Sequence, residues 1–330
     1  MENKHVVKVA NLDKVRSILF KYGSATKAKL ASESDISTVT VNGLVKELVE
    51  AGEFIGGELI HPKIGRPSVH YHFNYNFEHY MLISIQETAG KLHIVARVVN
   101  MRGDVKLRKG YPMEEVEVGV VVDAVKEILA EKIAITSIAI SIPGKTIGSK
   151  IAVSWRNALN GWDLETEIGS RFGIPVYVEN DANLATIGYC KAVKIPETDY
   201  VVGIYYLPMS MPGASLFHNN RLFRGQDGLA GEARYLPQLI GRECASSFDE
   251  SVQNLLEIIG IYNSLLAPHT FVIHMAGLSQ AELAARISED RILQEQPNKA
   301  RFFCADSFDE DVMAGLQWLA MSDVAYLTLK

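Results

Sequence analysis

Apolar positions recur at helical spacing three times in the first fifty residues. Leu12, Val15, Ile18 and Leu19 share one helix face, and Gly23 follows as a C′ residue that can adopt the left-handed conformation. Ser24 is placed to cap a short second helix carrying Leu30 and Ala31. After the turn ESDI, Ser37 caps a third helix with the stripe Val41, Leu44, Val45, Leu48 and Val49, which Gly52 ends. Two strand-like runs follow, EFIGGELI and SVHYHFN, joined by the turn HPKIGRP. From about Tyr80 strands and helices alternate. MLISI, LHIVARVV and ITSIAISI read as buried strands, with the helix VVVDAVKEILAEK between the last two. A second block near Tyr200 repeats the theme with YVVGIYYL, a strand pair ending near Arg224, the helix SVQNLLEIIGIYNSLL and the strand TFVIHM. The expected division is a head over 1–75, an α/β lobe over 76–198, and a second lobe over 199–330 whose C-terminal helix returns to the first.

Helix, helix, turn, helix and hairpin is the order of a winged helix-turn-helix, in which the third helix enters the DNA major groove. The face opposite its apolar stripe carries Thr38, Thr40, Asn42 and Lys46, groups suited to base edges and phosphates. Charge points the same way, weakly. The chain carries −6 in all, yet residues 1–75 hold ten Lys/Arg against eight Asp/Glu and the remainder 23 against 31. The alternative is a small protein-interaction domain with an ordinary solvated face. The segment ISTVTVNGLVKELVEAGEFI resembles the recognition helix and first wing strand of repressors of the ROK family (repressor, open reading frame, kinase), and IGRPSVHYHFN resembles that family's wing tip. The resemblance implies that Arg66, held between Gly65 and Pro67, reaches a phosphate or the minor groove. Gly43 stands where family members often carry a basic or polar residue, so one DNA contact is expected to be missing.

In the body, the run VENDANLA over 178–185 places Glu179, Asn180, Asp181 and Asn183 where a strand ends and a helix begins. A helix start needs one cap, so four polar residues read either as generous capping or as a ligand site at the carboxyl end of a strand. Here the resemblance to the ROK family extends over most of the body. SIAISIPGK with Pro143 and Gly144, NGWDLETEIGSRFGIPVYVENDANLA, and FRGQDGLAGEARY with Ala230, Gly231 and Glu232 occur in family order. The resemblance implies a duplicated actin-like ATPase (ribonuclease H-like) α/β fold of two lobes and a sugar site built from Asn180, Asp181 and Glu232. Tyr235 replaces the family's histidine beside that site.

Two departures bear on catalysis. Where the family's kinases carry Asp-x-Gly-Gly-Thr, this chain has SIQETAGKL, spanning Gln86 to Gly90. The second glycine-rich phosphate loop is replaced by YLPMSMPGAS, with Met209 and Met211 flanking Ser210 between Pro208 and Pro212. Phosphoryl transfer needs backbone amides wrapped around phosphates, so no kinase activity, catalytic residue or cofactor is expected. Only Cys244 follows the Ala-Gly-Glu motif where the family carries a zinc-binding cluster, so no metal is expected either, and His218, His269 and His274 read as structural or surface residues.

The remaining composition narrows the setting. The chain has 330 residues, 48% of them hydrophobic, and no apolar run long enough to span a membrane. It opens without a signal-peptide-like stretch, and Cys190, Cys244 and Cys304 lie far apart, so a cytoplasmic protein with reduced thiols is expected. The favoured reading is a transcriptional regulator, a repressor of a carbohydrate-related operon. It would bind a double-stranded DNA operator as a homodimer or higher oligomer and hold a sugar or related effector in the interlobe cleft. The rivals are a sugar kinase with an accessory DNA-binding head, and a regulator answering to a non-sugar ligand.

Overall fold

A computed structural model describes residues 2–60, 68–206 and 211–327. The head opens with α1 (Glu2–Tyr22), which starts well before the apolar stripe and ends at Gly23, whose φ is +72° and whose N–H donates to the Leu19 carbonyl at 2.8 Å. Ser24 does not cap the next helix. Ser24–Thr26 form a short strand, β1, and Thr26 caps α2 (Lys27–Ser34) by accepting from the Lys29 N–H at 3.2 Å. The chain stays extended there because buried Ala25 and its neighbours pair with a strand that comes much later. Ser37 caps α3 (Thr38–Glu50), accepting from the Thr40 N–H, and Val41, Leu44, Val45 and Leu48 are buried as the periodicity requires. β2 (Phe54–Ile60) and β3 (Ser68–Phe73) form an antiparallel pair, and β1 adds to the far edge of β3 in the order β1-β3-β2. The turn at 61–67, with Gly65, Arg66 and Pro67, lies outside the described residues.

The body follows one chain path twice. β4 (His79–Thr88), β5 (Lys91–Asn100) and β6 (Val105–Pro112) form a meander. Helix α4 (Val118–Leu129) then leads to β7 (Ser137–Ile142), parallel to β4. A small hairpin of β8 (Gly144–Ile147) and β9 (Lys150–Ser154) precedes α5 (Leu164–Phe172), β10 (Val176–Asn180) and α6 (Asp181–Ala192). The resulting sheet has the order β10-β7-β4-β5-β6. The second pass runs through β11 (Val201–Tyr205), β12 (Gly213–His218), β13 (Arg221–Leu222), α7 (Phe248–Leu266), β14 (Thr270–His274), α8 (Gln280–Glu289), α9 (Arg291–Glu295), β15 (Arg301–Cys304) and α10 (Phe308–Ala320). Its sheet order, β13-β12-β11-β14-β15, is the same arrangement: three meandering strands, then two parallel ones added beyond the first. β6 was not foreseen, because VKLRKGYP is a half-exposed edge strand with little apolar content. All six residues of β7 are buried, as a strand covered on both faces demands.

The final helices of the two passes meet at the centre. Helix α6 follows the first sheet but packs on β11 and β12 of the second, while α10 follows the second and packs on β4 and β7 of the first. They cross backbone to backbone. A Cβ on Gly188 would lie 1.8 Å from the Asp311 carbonyl oxygen, and one on Gly315 would lie 2.1 Å from that of Leu184. The head is docked rather than tethered. Leu19, Phe54 and Phe73 belong to the same buried cluster as Tyr80, Met101 and Met321. Phe20 packs edge-on against Phe73 at 5.1 Å and against Tyr326 at 6.4 Å, and the Tyr75 hydroxyl donates to the Phe20 carbonyl at 2.7 Å. Among the described residues no helix is long and apolar enough to cross a membrane.

The crossing makes a direct prediction. Gly315→Ala should lower the denaturant midpoint by the equivalent of about 1–3 kcal/mol, the usual cost of overpacking. Gly119→Ala, at a helical site with nothing within 4 Å of the new Cβ, serves as the control and should be neutral or mildly stabilising. Equal midpoints for Gly315→Ala and wild type would mean that the helices do not approach this closely.

Candidate functional site

The VENDANLA run is the junction of β10 and α6, and its four polar side chains do different work. Buried Glu179 accepts through Oε1 from the Asn180 N–H at 2.8 Å and the Asn183 side-chain amide at 2.9 Å. Its Oε2 accepts from Arg224 of the second pass, with Nη2 at 2.5 Å and Nε at 3.2 Å. Asn180 caps α6 by accepting from the Asn183 N–H at 3.1 Å, and its amide donates to the Gly144 carbonyl at 2.9 Å and to Asp181 Oδ1 at 3.0 Å. Asp181 Oδ1 also accepts from the Ala182 N–H at 2.8 Å. Three of the four residues therefore hold one another in place. Among the described residues no cation pairs with Asp181. Burial raises its carboxyl to about 7, against the pull of the Ala182, Asp181 and Asn180 N–H groups. A carboxyl that is half ionised near neutrality can both donate to and accept from a ligand hydroxyl.

Glu232 approaches from the other side. Gly231 has a φ of +84°, and a Cβ there would lie 1.8 Å from the Ala214 carbonyl oxygen, so only glycine lets this segment press onto β12. Glu232 then reaches back to the first lobe, with Oε1 2.9 Å from Lys145 Nζ, which also donates to the Ala230 carbonyl at 2.9 Å. Asn180 and Glu232 thus engage the adjacent residues Gly144 and Lys145. A cavity of about 330 Å³ adjoins them, lined by Lys145, Glu165, Glu179, Asn183, Arg224 and Asp227 among others. Burial lifts the Glu165 carboxyl, with the Asp163 and Glu179 charges adding to it and the Val178 N–H opposing. Tyr235 is placed differently. It is 58% exposed, and its described ring contact is with the Arg234 guanidinium at 4.9 Å. Lys145 and Arg224 were missed in the sequence. Both stand inside the motif segments, but their partners are far along the chain and no local spacing reveals them.

The β4–β5 turn and the start of α10 are acidic. Ala89 and Gly90, with φ of +52° and +81°, make a tight two-residue turn between β4 and β5, and the Glu87 carboxylate accepts the Gly90 N–H at 2.5 Å. Gln86 donates to Asp309 at 3.2 Å, Arg97 grips Glu310 with two bonds at 2.9 and 2.7 Å, and His274 Nε2 lies 3.0 Å from Asp311. The first turn of α10 is therefore bound to both lobes. The Tyr205 ring stacks on Phe308 at 4.2 Å, and burial, then the charges of Asp181, Asp309 and Glu87, push its hydroxyl pKa well up. Of the second altered loop, Leu207, Pro208, Met209 and Ser210 lie outside the described residues, while Met211 and Pro212 lead into β12. His218 stacks on Tyr200 at 3.7 Å, and the His269 ring lies parallel to Tyr200 at 5.9 Å. Cys190, Cys244 and Cys304 are free thiols, and among the described residues no group of three or more His, Cys, Asp or Glu is arranged to hold a metal ion.

On the head, Thr38, Thr40, Asn42 and Lys46 all lie exposed on α3. Thr40 Oγ1 sits 2.9 Å from Ser37 Oγ, and Lys46 Nζ lies 3.7 Å from Glu50 across an exposed turn. Arg66 lies outside the described residues.

The two α/β lobes share one strand arrangement, and Asn180 of the first and Glu232 of the second meet at the adjacent residues Gly144 and Lys145. Residues 85–238 match the family model described as ROK family. The xylose repressor of Caldicellulosiruptor bescii is 25% identical over 248 residues, covering 70% of this chain and 59% of that protein. A second relative, from Caldicellulosiruptor sp. strain Rt8B.4, is 24% identical over 252 residues, covering 72% of this chain and 60% of that protein. The chain thus spans about 60% of the length of the curated relatives it matches. Among solved structures, a ROK family transcriptional regulator homologous to the E. coli MLC protein superposes with a TM-score of 0.70 at 17% identity, covering 98% of both chains. A ROK family glucokinase from Streptomyces griseus, solved with glucose and AMPPNP, gives a TM-score of 0.56 at 19% identity over 74% of this chain and 99% of that one. At such identities the structural likeness establishes the fold.

Asp181 links the site to stability. Its folded pKa of about 7 lies above the roughly 3.9 of an unfolded aspartate. Its stabilising share is therefore complete below about pH 4 and is lost as pH rises through 7. Wild type should lose urea resistance between pH 5 and 8.5 by an amount that Asp181→Asn escapes, so the variant's advantage should grow with pH. Parallel curves for the two proteins would show that Asp181 does not titrate in this range.

Proposed function

We propose that this chain is a DNA-binding transcriptional regulator, a repressor of a carbohydrate-related operon, whose body binds a small polyhydroxylated effector without transferring phosphate. One observation carries the reading. A body of sugar-kinase type, with a carboxylate closing its phosphate turn, shares a continuous core with a three-helix head that presents α3 outward. In this reading the head, 1–75, is a winged helix-turn-helix. Thr38, Thr40, Asn42 and Lys46 of α3 would face the major groove, and Arg66 would reach a phosphate or the minor groove. The lobes, 76–198 and 199–330, hold the effector between them through Asn180, Asp181 and Glu232, with Tyr235 at the rim. The names of the similar xylose repressor and ROK regulator support this assignment. A cytoplasmic homodimer would place two heads on two half-sites of a palindromic operator.

Coupling would run along α10. Its first turn stands in the cleft beside Tyr205 and Gln86, and the chain just beyond its end carries Tyr326 into the head core. An effector that binds two lobe arrangements unequally would shift this helix, and with it the spacing of the heads. A second reading, sugar kinase, is favoured by the near-neutral Asp181 carboxyl, which is poised as a general base would be. Sustained ATP consumption with any hexose or amino sugar, lost in Asp181→Asn, would establish the kinase and overturn the regulator without phosphoryl transfer.

On DNA, Asn42→Ala should relax base preference at one position per half-site, while Lys46→Ala should weaken all sequences alike and reduce the salt slope by roughly one. Gel shifts at several salt concentrations measure both, and unchanged affinity and slope in the two variants would remove the head from the DNA-binding class.

On the effector, thermal shift against a sugar library should find a stabilising ligand. Asp181→Asn or Glu232→Gln should weaken it roughly ten- to hundredfold, the loss of one charge-assisted bond, and DNA binding by the ligand-free protein should be spared. If no sugar stabilises wild type, the effector belongs to another class.

A further inference from the structure

The face of α3 is more specific than its polar residues suggest. At 100° per residue, the direction opposite buried Val41, Leu44, Val45 and Leu48 is occupied by Val39, Gly43 and Lys46, and by Glu50 at the far end of the helix, with Asn42 to one side and Thr38 and Thr40 at the edges. Val39 is 82% exposed, in the first turn of the helix. One turn on, Gly43 leaves open space, with nothing within 4 Å of where its Cβ would be. A valine here gains nothing from burial, and its β-branch lowers helix propensity. It is also a lone apolar side chain among hydroxyls, an amide and an ammonium, too small a patch to anchor a protein partner.

We propose that Val39 and the Gly43 notch read the 5-methyl group of a thymine in the operator half-site. The inference rests on the reading of α3 as the helix that enters the major groove. Val39 cannot hydrogen-bond, and the only apolar feature on the major-groove edge of a base pair is the thymine methyl. The first turn of such a helix is the part that meets base edges. Gly43 contributes by absence: with no side chain of its own on that face, it leaves Val39 the group that meets the base edge there. Asn42 stands three residues away on the same side, within about 5–6 Å. An adenine held by its amide would therefore lie within about two base pairs of that thymine, giving each half-site a paired A and T signature.

The test selects duplexes from a random pool with the full chain, then replaces each enriched thymine in turn by deoxyuridine, which lacks only the methyl. Wild type should bind about fourfold more weakly at one position per half-site, the value of one buried methyl group. Val39→Ser, at a site exposed enough to leave folding untouched, should bind the thymine and deoxyuridine duplexes alike. Indifference of wild type to every replacement, or a loss that persists in Val39→Ser, would overturn the Val39 inference and leave the head a DNA reader. Failure to enrich any sequence would overturn both.

Discussion

The close crossing of α6 and α10 is the constraint on which the rest of the body depends. Each helix closes its own chain pass and then covers the other pass's sheet, so the two lobes can assemble only where these helices meet. The meeting is set by Gly188 against the Asp311 carbonyl and Gly315 against the Leu184 carbonyl, backbone contacts that no side chain would permit. The crossing also places chemistry. Asp181 begins α6, Asp309 to Asp311 stand in the first turn of α10, and the charges of Asp181 and Asp309 both act on the Tyr205 hydroxyl. A cleft whose carboxylates are positioned by a backbone contact has little freedom to rearrange unless the helices move together.

Electrostatics then separates the two sides of that cleft. Around the β10–α6 junction, Glu179 with Arg224 and Lys145 with Glu232 are partly buried ion pairs that join the two passes. Removing one partner from such a pair leaves a stranded charge, whereas the pair itself contributes little net stability. Their consequence is registry: they fix how the Arg224–Glu232 segment sits on the first lobe. Among the described residues Asp181 has no cation partner, at a cost in stability that rises with pH, the pattern expected of a group retained for a ligand. At the β4–β5 turn, Glu87 accepts the Gly90 N–H, and α10 opens with three carboxylates at its positive end.

Much of this was legible in the sequence because it is local. The spacing of Val41, Leu44, Val45 and Leu48, the cap at Ser37, and the strand character of SIAISI follow from nearest neighbours along the chain. What was not legible depends on distant partners. Ser24 looked like a cap, and only the pairing of β1 with β3 turns it into a strand residue and passes the cap to Thr26. β6 escaped notice because an edge strand needs one apolar face at most. Lys145 and Arg224 acquire meaning only once Glu232 and Glu179 face them. Val39 was hidden for a different reason. Reading apolar residues as core and polar residues as surface leaves no category for an apolar residue at the centre of the solvent face.

The head's docking makes the long-range argument physical. A flexible tether would let each head sample positions regardless of the state of the cleft. Here Phe20, Phe73, Tyr75 and Tyr326 form one aromatic cluster, with the Arg16 guanidinium 5.9 Å from the Tyr326 ring and itself gripped by Glu53 through two bonds of 2.6 Å. The lever between cluster and cleft is α10, 13 residues and therefore about 20 Å long at 1.5 Å per residue. A close-packed helix transmits a displacement at one end to the other, because interiors at crystal-like density have no slack in which to absorb it. The switch then needs only a modest preference. In the proposed regulator, an effector that favoured one lobe arrangement by about 1.4 kcal/mol would change the ratio of head positions tenfold without touching α3.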